Sequence, residues 1–187
     1  MTLYEMKVKV FSLIEELNPQ SEYLTDDPDL QAKINEVINQ LMFELARFKK
    51  IPKYVEMEVS AGDLIAFEDI EKECGYEVYQ ISLVSGVNYL PKANGTVLKI
   101  LEGGTAEVDV FVYPERITEK TKDKAYEFEL TNDVLEIMPY GIAADLLKSD
   151  VSTDYGSVYA QRYAEMKAEL DPRYHMSSIY IEGGVSI

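Results

Sequence analysis

Apolar positions change their spacing twice along the chain, and each change marks a shift in the kind of element expected. Leu3, Met6, Val10, Leu13, Ile14 and Leu17 recur at intervals of about three and four, which lines one face of a helix. Thr2 and Glu5 stand three apart at its start, so hydroxyl and carboxylate can each accept the other's backbone amide. Asn18-Pro19 is the predicted stop. A second helix is predicted after Asp27, a good N-cap, with Pro28 in the first helical position where its missing N–H costs nothing. Its stripe is Leu30, Ile34, Val37, Leu41, Leu45 and Phe48. Lys49 and Lys50 suit the negative end of the helix dipole, and Pro52 closes the element.

From Pro52 the period falls to two. Val55, Met57 and Val59 alternate with Tyr54, Glu56 and Glu58. Short β-rich runs follow at 76–83, 87–90 and 96–101, divided by Gly86 and by the tight-turn pair Asn94-Gly95. The clearest strand is 105–113, where Ala106, Val108, Val110 and Val112 share one side. Pro114 ends it, 118–124 reads as a charged loop, and 126–128 as a last short strand. Helical spacing returns at Asn132-Asp133 with Leu135, Met138, Ile142, Leu146 and Leu147, and Pro139 is expected to kink or split that helix. A fourth helix, from Ser152 to Asp171-Pro172, carries Tyr155, Tyr159 and Tyr163 four residues apart.

Two helices, a β region and two more helices predict an α+β fold. The expectation is an antiparallel bundle of about four helices, from 1–51 and 130–172, because neither half can bury its stripe alone. A small all-β lobe, 52–129, is expected as an insertion between helices 2 and 3. On this reading the helices fold even when 53–129 are replaced by a short linker. Residues 173–187 read as an extended C-terminal tail.

Charge narrows the function. The chain of 187 residues holds 18 Lys+Arg against 34 Asp+Glu, for a formal charge of −16. The excess lies in every part and is largest in 52–129, with 8 basic against 16 acidic residues. A protein that grips nucleic acid by its phosphates needs the opposite balance. One cysteine, Cys74, excludes an internal disulfide, and one histidine, His175, excludes His-pair metal motifs. No run approaches a membrane span, and the first residues lack a signal peptide's basic flank and apolar core, so synthesis in a reducing cytoplasm is expected.

Candidate chemistry is sparse. Glu68-Asp69, Glu71 and Glu73 read as a solvated turn, and Asp26, Asp27 and Asp29 as helix capping. The latter lack a calcium loop's central glycine and place Val37 or Ile38 where its glutamate belongs. Asp150 and Asp154, bracketing Ser152 and Thr153, read as capping too. Cys74 has no basic neighbour to lower its pKa, His175 has no nucleophile elbow, and neither GxxxxGKS nor GxGxxG occurs. The expectation is a structural protein without catalytic residues, metal or cofactor. The fourteen tyrosines leave a sugar- or small-ligand-binding module of a phage tail or cell surface as the alternative, although Trp is absent and the tyrosines are scattered. The Tyr155/Tyr159/Tyr163 stripe reads as packing, in the bundle or against another subunit.

The layout, the strand end Val112-Tyr113-Pro114-Glu115-Arg116-Ile117, the stretch from Leu135 through Pro139-Tyr140-Gly141 to Asp150, and Tyr159-Ala160-Gln161-Arg162-Tyr163 resemble head–tail connector (adaptor) proteins of tailed phages and prophages. The resemblance implies a virion neck protein, made in the bacterial host's cytoplasm. It implies a ring of like subunits, twelve-fold in the assembled particle, below the portal protein. That ring extends the DNA channel without binding DNA specifically, contacts no membrane, and docks the next neck or tail protein. An acidic lumen would repel the passing phosphates. In the tail, Ile179, Tyr180 and Ile181 alternate in the manner of a strand. Such a segment is expected to add to an exposed sheet edge of a neighbouring subunit or of the portal, with return to the protein's own sheet or terminal disorder as the alternatives.

Overall fold

Residues 1–149 and 154–170 are described by the computed structural model. In chain order the elements are α1 (Leu3–Leu13), α2 (Pro28–Phe48), β1 (Ile51–Val59), β2 (Leu64–Ala66), α3 (Phe67–Cys74), β3 (Val78–Ser85), β4 (Tyr89–Lys92), β5 (Val97–Ile100), β6 (Gly104–Val112), α4 (Asn132–Leu146) and α5 (Tyr155–Glu169). Short 3-10 turns occupy Ala93–Gly95 and Leu147–Ser149.

Local sequence accounts for the helix starts. The Thr2 amide donates to Glu5 Oε2 at 2.8 Å and the Glu5 amide to Thr2 Oγ1 at 3.2 Å, closing a capping box on α1. The Asp27 carboxylate accepts the Asp29 and Leu30 amides at 2.8 and 3.3 Å and so caps α2. α1 stops at Leu13, short of the expected Asn18-Pro19, and Glu15 beyond it turns the chain through a left-handed φ of 62°. α4 is not split at Pro139. Residues all round it are buried, so tertiary packing outweighs the hydrogen bond that proline removes. It is the hub of the helices: α1, α2 and α5 each pack on it.

The strands form two antiparallel three-stranded sheets. The main sheet has the order β1-β6-β3, with Val55 opposite Val108, and the small sheet the order β2-β5-β4. Two register shifts in β3 bend its pairing with β6. Gly86, just past β3, has φ +80°, and a Cβ there would lie 2.2 Å from the Thr105 carbonyl oxygen, so only glycine permits this approach.

The expected architecture of a helical bundle with an inserted β lobe is overturned. The inner face of the main sheet carries Val55, Ala106, Val108, Val110 and Val112, all buried, in one continuous apolar core with helix residues such as Leu41, Leu45 and Ile142. α2 passes into β1 across Lys49 and Lys50 alone. Tyr113, at the end of β6, accepts a hydrogen bond from Arg47 Nε and stacks at 5.1 Å on Phe43 and 4.8 Å on Tyr79, whose hydroxyl donates to the Ala46 carbonyl. Helices and main sheet therefore bury each other in a mixed α+β fold, with five helices and two sheets among the described residues. Deleting 53–129 would uncover α2 rather than free it. An alternating pattern reveals that a strand has a buried face, but not what covers that face.

Three local expectations also change. The acidic run Glu68-Asp69, Glu71 and Glu73 is helix α3, not a turn. Ile70 is its buried anchor, Asp69 accepts the Ala66 amide at 3.0 Å, and Glu71 accepts the Val78 amide at 2.8 Å. β2, before it, is a strand the pattern did not reveal. The segment 126–128 forms only an isolated bridge, Glu127 to Thr2.

After β6 the chain is clamped along α2. Buried Asn39 donates from Nδ2 to the Ile117 carbonyl and accepts the Ile117 amide at Oδ1, both at 2.8 Å. Asn39→Ala leaves both backbone groups of Ile117 buried without partners. The variant is expected to lose about 1–3 kcal/mol of stability, read as a lower urea midpoint with an unchanged slope.

Candidate functional site

The tyrosine stripe predicted on the last helix is real as geometry, and its three members have different surroundings. α5 lies on α4, and where Tyr163 crosses it the α4 residue is Gly141. A Cβ at 141 would meet Leu41 Cδ2 at 2.2 Å and the Tyr163 ring at 3.0 Å, so the glycine lets α2, α4 and α5 converge. The Tyr163 hydroxyl donates to Glu44 Oε1 at 3.2 Å, and Lys167 binds the same oxygen. Tyr159 donates to the Leu13 carbonyl at 2.5 Å, one of the acceptors that the end of α1 leaves without a helical partner, and its ring stands 6.4 Å from Tyr140. Tyr155 faces solvent, as does Val158 beside it. Tyr155 edges an open depression of about 630 Å³ whose walls include Leu13, Asp27, Lys33 and Leu147. Two of the three tyrosines thus tie α5 to α1 and α2, and one is left on the surface. The other residues singled out for assembly, Ile179, Tyr180 and Ile181, lie outside the described residues, as do His175, Asp150, Ser152 and Thr153.

The remaining candidates have structural partners. The half-buried Cys74 thiol faces the carbonyls of Glu71 and Tyr76 at 3.9 and 3.5 Å. Asp26 accepts from Asn18 Nδ2 at 2.6 Å, and the Asp154 carbonyl accepts the amides of Ser157 and Val158 at the start of α5. Among the described residues no group of three or more His, Cys, Asp and Glu could hold a metal ion. No described helix is long and apolar enough to cross a membrane. A second depression, about 850 Å³, is an open trough between Tyr4, Tyr23 and the 119–124 loop. Lys7 and Asp123 at its wall are already paired at 2.8 Å.

What periodicity missed is the outer side of the two sheets. Tyr54 and Leu83 on the main sheet and Leu64, Leu90 and Leu101 on or beside the small sheet are all exposed. For Tyr54 the alternation was legible in the sequence, but the assignment of outside and inside needed the pairing. No family model matches the chain, and none of the curated proteins matches its sequence.

Burial pushes the Tyr79 hydroxyl up to about 12. It pushes Tyr163 up further, with Glu44 adding to the effect, and Tyr126 likewise, with Glu115 adding. A hydroxyl raised above its unfolded value of 10 contributes stability in full below pH 10 and loses it as pH climbs through the folded value. Resistance to urea is therefore expected to fall between pH 10 and 12. Ultraviolet titration of the native protein is expected to show a late tyrosinate phase that vanishes in denaturant.

Proposed function

We propose that the protein is a non-enzymatic structural component of a tailed phage or prophage. In this reading it is a head–tail connector subunit, forming with its own copies a ring below the portal protein in the virion neck. The ring is twelve-fold in the assembled particle, extends the DNA channel and docks the next neck or tail protein. The observation that carries this is where the exposed apolar side chains lie. Tyr54, Leu64, Leu83, Leu90 and Val158 stand on open faces of sheets and of α5, and Tyr155 stands beside them at the rim of an open depression. Apolar side chains on flat, solvent-facing elements suit contact with other protein surfaces. The charge of −16 suits a channel that lets DNA slide rather than one that holds it. The sequence resemblance at 112–117 and 135–150 supplies the specific class.

The deciding experiment is co-sedimentation with portal rings encoded beside this gene. The full chain is expected to travel with the portal and to show as an added ring by negative-stain microscopy. A chain truncated after Arg173 is expected to keep its melting temperature and lose that association, if 178–181 dock as a strand on a neighbour. Failure of the full chain to bind the portal overturns the connector reading.

A second expectation follows from charge. Duplex DNA is not retarded by micromolar protein even at low salt, where phosphate contacts are strongest. A salt-sensitive shift would overturn the channel role.

A further inference from the structure

Two surfaces of this chain are chemical opposites. On the solvent face of the main sheet, Tyr54, Glu56 and Glu58 of β1 lie beside Glu107 and Asp109 of β6. The register sets Glu56 directly opposite Glu107 and Tyr54 opposite Asp109. Like charges facing each other across strands are destabilising. Hydroxyls soften this: Tyr54 donates to Glu56 at 2.7 Å, Thr105 to Glu58 at 2.7 Å and Ser85 to Glu107 at 2.8 Å. No cation does, since none of these four carboxylates is in a salt bridge with a described residue. The hydrogen bond to Glu56, with the field of Glu107 and Asp109 behind it, holds the Tyr54 hydroxyl up to about 12.

The solvent face of the small sheet has the complementary chemistry. Its register lines up Leu64, Lys99 and Leu90 in one row across β2, β5 and β4, with Val97 and Lys92 in the next. Ile65, Leu98 and Ile100 point the other way and are buried, so this outer row is a true surface. Leu64 is 62% exposed and Leu90 43%, and Leu101 at the end of β5 is 54% exposed. Neither Lys92 nor Lys99 is in a salt bridge with a described residue, although the chain holds nearly twice as many acidic as basic side chains.

We infer that the acidic outer face of the main sheet in one copy docks on the leucine–lysine outer face of the small sheet in the next. Lys92 and Lys99 enter the carboxylate stripe, while Leu64 and Leu90 cover Tyr54 and Leu83. Charge complementarity selects a second copy as the occupant. The main-sheet face carries four carboxylates with no salt bridge to a described residue, and one lysine, Lys50, at its end over Phe111. The small-sheet row carries lysines without carboxylates, and both faces border exposed apolar side chains. Because the two surfaces differ, the contact is head-to-tail and leaves each copy with one face of each kind still open. Such contacts close into a ring when the rotation allows it. The inference names the subunit contact of the ring proposed above and rests on that reading.

The test is sedimentation velocity of the full chain from micromolar to millimolar concentration. Wild type is expected to self-associate, more weakly as salt rises. Lys92→Glu with Lys99→Glu gives two acidic faces, and Glu56→Lys with Glu107→Lys makes both faces repel the small-sheet lysines. Each double variant alone is expected to associate at least tenfold more weakly. Their equimolar mixture is expected to regain association, because each supplies the face that the other lacks. Unchanged circular dichroism and melting show that the variants are folded, and Leu64→Ser with Leu90→Ser weakens association without changing charge. Wild type monomeric at millimolar concentration, variants that associate as wild type does, or a mixture that fails to recover would each overturn the inference. The portal experiment separates the two readings. Assembly that follows the charge swap but ignores portal rings sinks the connector and keeps this contact. Charge variants that join portal rings as well as wild type sink the contact and keep the connector.

Discussion

The fold depends on how the chain leaves β6. A strand that ends at a proline before a charged loop has no local reason to turn back along a helix, yet residues 113–117 lie against α2. Asn39 holds them there by satisfying both backbone groups of Ile117 from inside the core, where water is not available to do so. Around this clamp the Tyr113 ring packs on Phe43 and Tyr79, and Arg47 bonds its hydroxyl. The Tyr126 hydroxyl donates to the Glu115 carbonyl at 2.6 Å on the return path. These groups bind the main sheet to α2 over the whole exit from the strand.

Everything outside that seam follows from it. With its inner face buried in the common core and α3 against β1 and β3, the main sheet has one free side, and the charged half of each strand occupies it. The small sheet turns Ile65, Leu98 and Ile100 inward onto the same core, leaving its leucines and lysines outward. α4 is enclosed by α1, α2 and α5, so its proline is tolerated. α5, by contrast, buries none of its residues fully and is held by tyrosine hydroxyls and the Lys167–Glu44 pair. It packs on α4 through half-buried side chains such as Tyr163 and Met166.

In the connector reading proposed above, a protein so arranged would act through faces rather than through a cleft. The carboxylates of the main sheet's outer face are spread over that surface and softened by hydroxyls, and among the described residues no group of three or more His, Cys, Asp and Glu could hold a metal ion. That distribution is compatible with two tasks at once, keeping DNA phosphates at a distance and choosing a cationic protein surface as neighbour.

Sequence by itself determined the parts of the molecule whose causes are local. The capping box at Thr2 and Glu5, the Asp27-Pro28 start of α2 and the alternation in β1 and β6 each depend on residues within a few positions of one another. The spacing of Tyr155, Tyr159 and Tyr163 was equally plain. Only the tertiary structure decided what those elements pack against. The main sheet shares the helices' core instead of standing apart, and the contacts that hold its exit to α2, Asn39 to Ile117 and Arg47 to Tyr113, join residues far apart in the chain. It also made a helix of the acidic run 67–74, where one buried side chain, Ile70, outweighs the solvated charges around it. And it placed Glu56 opposite Glu107 and Lys99 between two leucines, because strand register is set by pairing with partners that no local pattern names.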